Sequence, residues 1–426
     1  MYSSTQSSRA RVEASLGKRH RKELLFRILG LAATMVGVFF LAAFFWTLIA
    51  EGSSAFVQTF IELEIDFSEE ALAPGGELDL ESANFEGIAR AALRKKFPDA
   101  TDRASRRELN RLISVGAGYQ IQEAITRDPA LLGTTRIMAV PAAANVDMLL
   151  KGNIDRNVPE GQRPISDRQI RWLDALIADG SLVTKFNEAL FINGDSREPE
   201  LAGIRGALMG SFYMLLITIA LSFPIGAAAA IYLEEFAARN RWADLVEVNI
   251  NNLAAVPSIV FGLLGLAVFI NWMGIPRSAP LVGGLVLSLL TLPVIIIAAR
   301  AAIKAVPPSI REAAFGLGAS KMQVVFHHVL PLAMPGMLTG AIIGMSRALG
   351  ESAPLLMIGM VAFIVDVPAG FSDPATALPV QIFLWADSPE RAFAERTSAA
   401  IIVLLAFLLL MNLAAVILRR KVERQW

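Results

Sequence analysis

Six apolar runs, at 24–50, 205–233, 252–273, 279–303, 335–364 and 398–418, decide what this chain can fold into. A helix needs roughly 20 mostly apolar residues to cross a bilayer, where its backbone must satisfy its own hydrogen bonds. Each run meets that length. Composition agrees, with 54% hydrophobic against 18% charged residues, where soluble domains carry about a quarter charged. The first run exceeds a secretory signal core, and no small-residue cleavage site follows it, so it reads as an uncleaved anchor. The expectation is an all-α polytopic protein of six transmembrane helices, surrounded by lipid.

Six spans place both termini on one side, and basic residues choose that side. The tail 1–23 holds Arg9, Arg11, Lys18, Arg19, Arg21 and Lys22, with Arg27 just beyond it. The far end holds Arg419, Arg420, Lys421 and Arg424. The short loops at 234–244 and 304–334 add Arg239, Arg241, Lys304, Arg311 and Lys321. The opposite loop, 366–397, carries Asp366, Asp373, Asp387, Glu390 and Glu395 against Arg391 and Arg396. Tail 1–23 and tail 421–426 are therefore expected in the cytoplasm, and the membrane is expected to be a bacterial inner membrane.

Residues 51–200 are polar and rich in acidic side chains, and they are too many for an ordinary connection. They should fold separately on the outer side. Helical patterns lie near 84–97, 103–114 and 167–191, and Ser166 with Gln169 fits a capping box. Ala73–Gly76 and Asp195–Pro199 read as boundaries. A mostly helical insert domain is expected.

Two absences narrow the chemistry. No Gly-x-x-x-x-Gly-Lys-Ser/Thr phosphate loop occurs, and the nearest string, Gly316 to Lys321, lacks the Gly-Lys pair. ATP hydrolysis must then come from another polypeptide. Cysteine is absent, and His20, His327 and His328 are too few and too badly spaced for zinc. The chain is expected to hold no metal or cofactor, to bind no nucleic acid and to be no enzyme by itself.

The most informative polar stretch is Glu312-Ala313-Ala314-Phe315-Gly316-Leu317-Gly318, running on to Leu330-Pro331. Pro307 and Pro308 stop the preceding helix. Ser309 with Glu312 and Ser320 with Gln323 both have capping-box spacing. Gly316 and Gly318 break the helix between them, and Pro331 should mark the far end. Such a bent hairpin with a bare elbow can dock into a groove, though periodicity alone favours an ordinary interhelical loop. In detail the string resembles the EAA loop of ATP-binding-cassette importer permeases, with His328 where an aliphatic residue is usual. The resemblance implies that residues 309–331 are the coupling loop, with Glu312, Ala313, Ala314 and Gly318 seating on an ATPase subunit. It further implies a type I importer permease core over 201–420.

Two more strings, Val256-Pro257-Ser258-Ile259-Val260-Phe261-Gly262-Leu263 and Arg347-Ala348-Leu349-Gly350-Glu351-Ser352-Ala353-Pro354-Leu355, resemble the phosphate branch of that family, the PstA type. That implies inorganic phosphate as substrate. It also implies a second permease of the PstC type, an ATPase dimer of the PstB type holding ATP and Mg, and a periplasmic phosphate-binding protein of the PstS type. Chemistry points the same way. An ionised side chain at mid-membrane costs about 2.5–3.5 kcal/mol on insertion scales, so Arg347 and Glu351 need each other or a polar cavity. Pro354 cannot donate to the carbonyl of Gly350, which weakens the helix beside both charges. A guanidinium forks well onto phosphate oxygens. The pair is either part of the substrate path or a structural ion pair, and Arg300 is either a second positive site or a topology anchor. Another oxyanion or polar solute is the alternative substrate. A membrane sensor would need neither the four later spans nor the Glu-Ala-Ala loop, and a passive channel would not need the docking loop. The insert, with acidic residues in excess, is expected to sit on the outer mouth rather than to bind phosphate.

Overall fold

The computed structural model describes residues 3–73, 79–80, 83–238 and 240–422, without the side chains of residues 3–14 and 422. Pro74 to Gly76, Arg239 and Arg424 therefore lie outside the described residues, as do the side chains of Arg9 and Arg11. Two compact units are present, divided after Glu51. The first is the helix α1, Ser3–Gly52, so the basic tail continues the same helix as the first span. Phe26, Leu31, Phe39 and Trp46 are exposed on different sides of it, as a helix solvated by lipid requires.

The second unit begins with the insert. Its strand β1, Val57–Asp66, lies between β2, Thr135–Pro141, and β3, Leu182–Phe186, antiparallel to both. β1 follows from strict alternation: Ile61, Leu63 and Ile65 are buried while Glu62, Glu64 and Asp66 point outward. Helices still dominate the insert: α2 (Glu69–Leu72), α3 (Phe85–Lys96), α4 (Arg103–Asn110), α5 (Gly116–Arg127), α6 (Ala144–Leu150), α7 (Asp167–Ala178) and α8 (Glu188–Ile192). The core joins Ile61, Leu63 and Ile65 to Leu93, Leu109, Ile121 and Leu173. The box at Ser166 and Gln169 is present, with both reciprocal bonds. The helical pattern at 167–191 runs over three elements, α7, β3 and most of α8. α7 stops at Ala178 because Gly180 turns left-handed (φ 69°), and residues 182–186 form β3.

The membrane core comprises α9 (Arg205–Ile231, extended by a π-helical turn Tyr232–Phe236), α10 (Arg241–Ala254) and α11 (Ser258–Gly265, continued as π-helix to Trp272). Then come α12 (Pro280–Lys304), α13 (Pro308–Gly316) and α14 (Lys321–Gln323), which a π-helical stretch joins to α15 (Leu330–Gly350). Last are α16 (Ala353–Met357), α17 (Leu378–Ala386) and α18 (Ala392–Val422). Among the described residues five helices are long and apolar enough to cross a membrane, and the pair α10 and α11, bent by 99°, makes a sixth if read as one broken span.

Two expected spans are redrawn. The run 252–273 straddles the break before Pro257, whose ring disfavours helix at the residue before it. The run 335–364 is one continuous helix only to Gly350, with the short α16 after the break, and its helix begins upstream at Lys321. Pro331 ends nothing. It falls where the π and α ladders meet, so its missing N–H does not stop the helix. α12 sits centrally, with α9 on one side and α15 on the other. Small residues allow this: a side chain at Gly336 of α15 would come 2.6 Å from Ala302 of α12.

The insert is tied to one end of these helices by buried charge. Lys151, after α6, lies 2.6 Å from both Asp147 and Glu395, and Asn153 donates to Glu395 at 3.0 Å. Trp385 Nε1 donates to Asp195 at 2.9 Å. Burial pushes the carboxyl of Asp195 up from its ordinary range, and that of Glu200 likewise.

Candidate coupling elbow and translocation face

The elbow is α13 followed by α14. Pro307 is the N-cap and Pro308 the first helical residue, so Ser309 lies inside the helix and makes no capping box. A proline with its φ already set at the first position outcompetes the serine one residue later. The C-terminus closes as a Schellman motif: Ala319 N–H donates to Ala314 C=O at 3.1 Å and Gly318 N–H to Phe315 C=O at 2.9 Å. Gly318 supplies the left-handed residue at φ 84°. The second box is made, with Ser320 and Gln323 bonding reciprocally. Ala314 is buried, while Glu312, Ala313 and Gly318 face outward. Leu317 is 90% exposed beside exposed Phe315, Met322 and Phe326. Four apolar side chains around a rigid turn form a surface suited to a protein partner.

Arg311 fastens the elbow to the bundle. Its guanidinium donates to Glu235 at 2.8 and 3.2 Å and to the carbonyls of Ile303 and Val306 at 3.0 and 2.7 Å. The bond to Val306 serves a carbonyl just beyond the end of α12, and the bond to Ile303 adds a second donor to a carbonyl that already accepts from Val306 N–H at 3.3 Å. The neighbouring Glu234 lies 2.5 Å from Arg300, which also reaches Glu247 of α10 at 2.7 Å, and Lys304 stands 3.3 Å from Glu234. Adjacent residues on a helical turn point about 100° apart, so Glu234 and Glu235 can serve different arginines. Arg300 is thus held between two carboxylates, not open to an incoming anion. Sequence reasoning passed over Glu234, Glu235 and Glu247. The available signal was an acidic pair closing an apolar span on the side where basic residues were expected.

Arg347 and Glu351 are brought together, 3.4 Å apart, with the side chains 42% and 20% exposed. α15 ends at Gly350, and Glu351 is its C-cap in extended conformation. Its packed faces are occupied, Gly344 toward Thr291 and Ile295 of α12, and Ser346 bonded to Asn412 of α18 at 2.8 Å. The open face carries Ile343, Arg347 and Gly350, spaced i, i+4, i+7. Pro354 begins the short α16 after the break and packs on Gly262, so the two strings singled out in the sequence touch.

Two family models match. Residues 13–160 match a domain of unknown function (DUF3333), and residues 222–424 match the binding-protein-dependent transport system inner membrane component. The probable ABC transporter permease protein YqgI of Bacillus subtilis is 37% identical over 155 residues, 36% of this chain, and the match spans about half (52%) of that relative. The phosphate transport system permease protein PstA 1 of Mycobacterium tuberculosis (strain H37Rv) is 31% identical over 228 residues, 54% of this chain and 73% of that one. An inward-facing MetNI methionine ABC transporter aligns with a TM-score of 0.41 at 21% identity, over 52% of this chain and 96% of that one, too loose a likeness to carry an argument. Bundle, elbow and family match define the class: an inner-membrane permease subunit of an ABC importer. Within it, the chain belongs to the family of PstA phosphate transport system permeases.

Proposed function

We propose that this chain is one half of the translocation path of an ATP-driven inorganic phosphate importer. The observation that carries the reading is Arg347, a half-exposed cation on the open face of α15, partly compensated by Glu351. A compensated cation can exchange its carboxylate for an incoming oxyanion without leaving a bare charge in the membrane. The relatives named as phosphate permeases support the choice of anion. The open face of α15 is completed by a second permease of the PstC type, and a PstS-type protein delivers phosphate from outside. The elbow at Gly318, apolar and rigid, seats on a PstB-type ATPase dimer that binds the ATP and Mg. Both termini and the elbow then face the cytoplasm, and the insert faces the opposite side.

The test is uptake of radiolabelled phosphate by the four-component complex reconstituted in liposomes with ATP inside. Phosphate-dependent uptake that sulfate does not inhibit is expected. Uptake of another oxyanion with phosphate ignored would overturn the assignment.

A further inference from the structure

The insert carries 25 acidic and 17 basic residues, but the basic ones are not spread evenly. Arg90 of α3 and Arg103, Arg106, Arg107 and Arg111 of or next to α4 line a single cleft of about 970 Å³. Two carboxylates stand beside them: Glu86 pairs with Arg90 of the cleft, and Glu108 lines the cleft itself. Glu108 accepts from Ser166 at 3.1 Å and stands 3.9 Å from Arg168. Arg106 donates to the carbonyl of Ala100 at 3.3 Å. Among the described residues Arg103, Arg107 and Arg111 have no carboxylate within ion-pair distance.

Like charges four residues apart destabilise a helix, and Arg103, Arg107 and Arg111 repeat that spacing twice. The helix holds nonetheless, capped by Asp102, which accepts from Ser105 N–H at 3.0 Å, and anchored through buried Leu109. The guanidiniums are therefore presented on a fixed support. Arginine rather than lysine matters here, because each fork can take two oxygens of one phosphoryl group. A linear chain of phosphoryl groups offers oxygens to several of these forks at once, whereas one tetrahedral anion offers few.

We propose that the cleft between α3 and α4 binds a polyvalent phosphate anion, a condensed phosphate in preference to orthophosphate. The cleft is open to solvent and formed on α4, with Arg90 of α3 at its edge, so the density of guanidinium groups, not enclosure, favours a polyvalent anion. Arg90, Asn110 and Arg111 also line an adjoining cleft that reaches Glu198 and Glu200, shortly before α9. The site stands apart from Arg347 and does not depend on the transport reading.

The experiment is calorimetric titration of the full-length protein in neutral-lipid nanodiscs with sodium tripolyphosphate and, separately, with orthophosphate. Tripolyphosphate should bind more tightly than orthophosphate, and binding should weaken as salt is raised. Replacing Arg103, Arg107 and Arg111 together by Gln should lower tripolyphosphate affinity by roughly tenfold or more, with a melting temperature no lower than wild type, because all three are exposed and their mutual repulsion is relieved. The triple Lys variant should fall between the two, keeping the charge and losing the fork. Arg136→Gln, at an exposed arginine of β2 outside the cleft, should bind tripolyphosphate as wild type, which ties the binding to the cleft and not to surface charge in general. No binding of either anion at low salt, or equal binding by the Gln variant, would overturn the proposal. So would association of an acidic binding protein through these arginines with no anion binding, which would make the cleft a protein-docking face.

Discussion

Arg311 and Glu235 are joined by two hydrogen bonds, of 2.8 and 3.2 Å, that hang the elbow from the last turn of α9. The same guanidinium holds the end of α12 through two carbonyls, so three elements meet at one side chain. Motion of a docked ATPase at α13 would reach both helices through it. Glu235→Gln keeps the shape and removes the charge, and charge-assisted bonds are worth about 1.5–3 kcal/mol. The variant should insert and assemble normally and lose most substrate-stimulated ATP hydrolysis. ATPase stimulation equal to wild type in the reconstituted complex would rule out this linkage.

Gly318 tests the elbow by conformation rather than contact. Nothing lies within 4 Å of a side chain built there, so a replacement meets strain and not a clash. A non-glycine residue in the left-handed region costs roughly 1–2 kcal/mol, and a β-branched one more. Gly318→Ala should weaken copurification with the ATPase mildly, and Gly318→Val severely, at unchanged membrane expression. Equal recovery of the ATPase with all three proteins would show that the turn is not needed for docking.

Much of this architecture was legible because a bilayer is a strict solvent. Long apolar runs, the capping boxes at Ser166 and Ser320 and the glycine break at Gly316–Gly318 all report local rules. Tertiary pairings were not legible. β1 betrays itself only by the alternation of Ile61, Leu63 and Ile65 over ten residues, a weaker signal than the helical patterns around it. The bend before Pro257 was hidden because apolar residues continue on both sides of it. The carboxylate partners of Arg300 and Arg311 come from 53 to 76 positions away, and no spacing rule reaches that far. The i, i+4 pair Arg347–Glu351 could be read, since a helix brings those positions together.

Gly262 and Gly350 make a matched pair of tests in the two touching strings. A side chain on Gly262 would sit 2.7 Å from the carbonyl oxygen of Pro354 and 2.8 Å from its Cα, both backbone atoms that cannot swing away. A side chain on Gly350 would meet nothing within 4 Å. Gly262→Val should therefore force α11 from α16 and lower thermal stability, by a few kcal/mol as overpacking does. Gly350→Ala should leave stability unchanged in the isolated subunit. Thermal unfolding in detergent separates the two, and an unshifted melt for Gly262→Val would contradict the packing.

Glu200 carries a pH dependence whose sign follows from its burial. Desolvation holds its carboxyl above the ordinary glutamate range, against a hydrogen bond from Ser114 and the charge of Arg396, and its Oε2 has no partner. Well below the unfolded pKa both states are protonated and nothing is lost. As pH rises, the unfolded chain releases the proton first, so the fold loses stability until the raised folded pKa is passed. Glu200→Gln removes that slope. The variant should melt higher than wild type at pH 7–8, with the gap closing toward pH 4, in a scan of melting temperature against pH. A variant less stable than wild type at every pH would mean that the carboxylate is needed ionised.

The deciding test of the membrane site is the charge swap at Arg347 and Glu351. The two side chains lie 3.4 Å apart at the end of α15, and the cation is the more exposed of the two. If the pair only locks structure, Arg347→Glu with Glu351→Arg should restore it, since opposite charges still face each other. If Arg347 is a transient site for the anion, the swap moves the cation by about one helical turn, roughly 5.4 Å along the axis, and past the helix end. Glu351 is the extended C-cap residue, so an arginine there would project from different backbone and not merely from a lower rung. The double variant should then assemble at normal levels and transport poorly, while Arg347→Gln alone should also assemble and fail. Misplacing a binding group by several ångströms removes its use for a passing ion but not its value as half of a salt bridge. Wild-type uptake by the double variant would leave only the structural role standing.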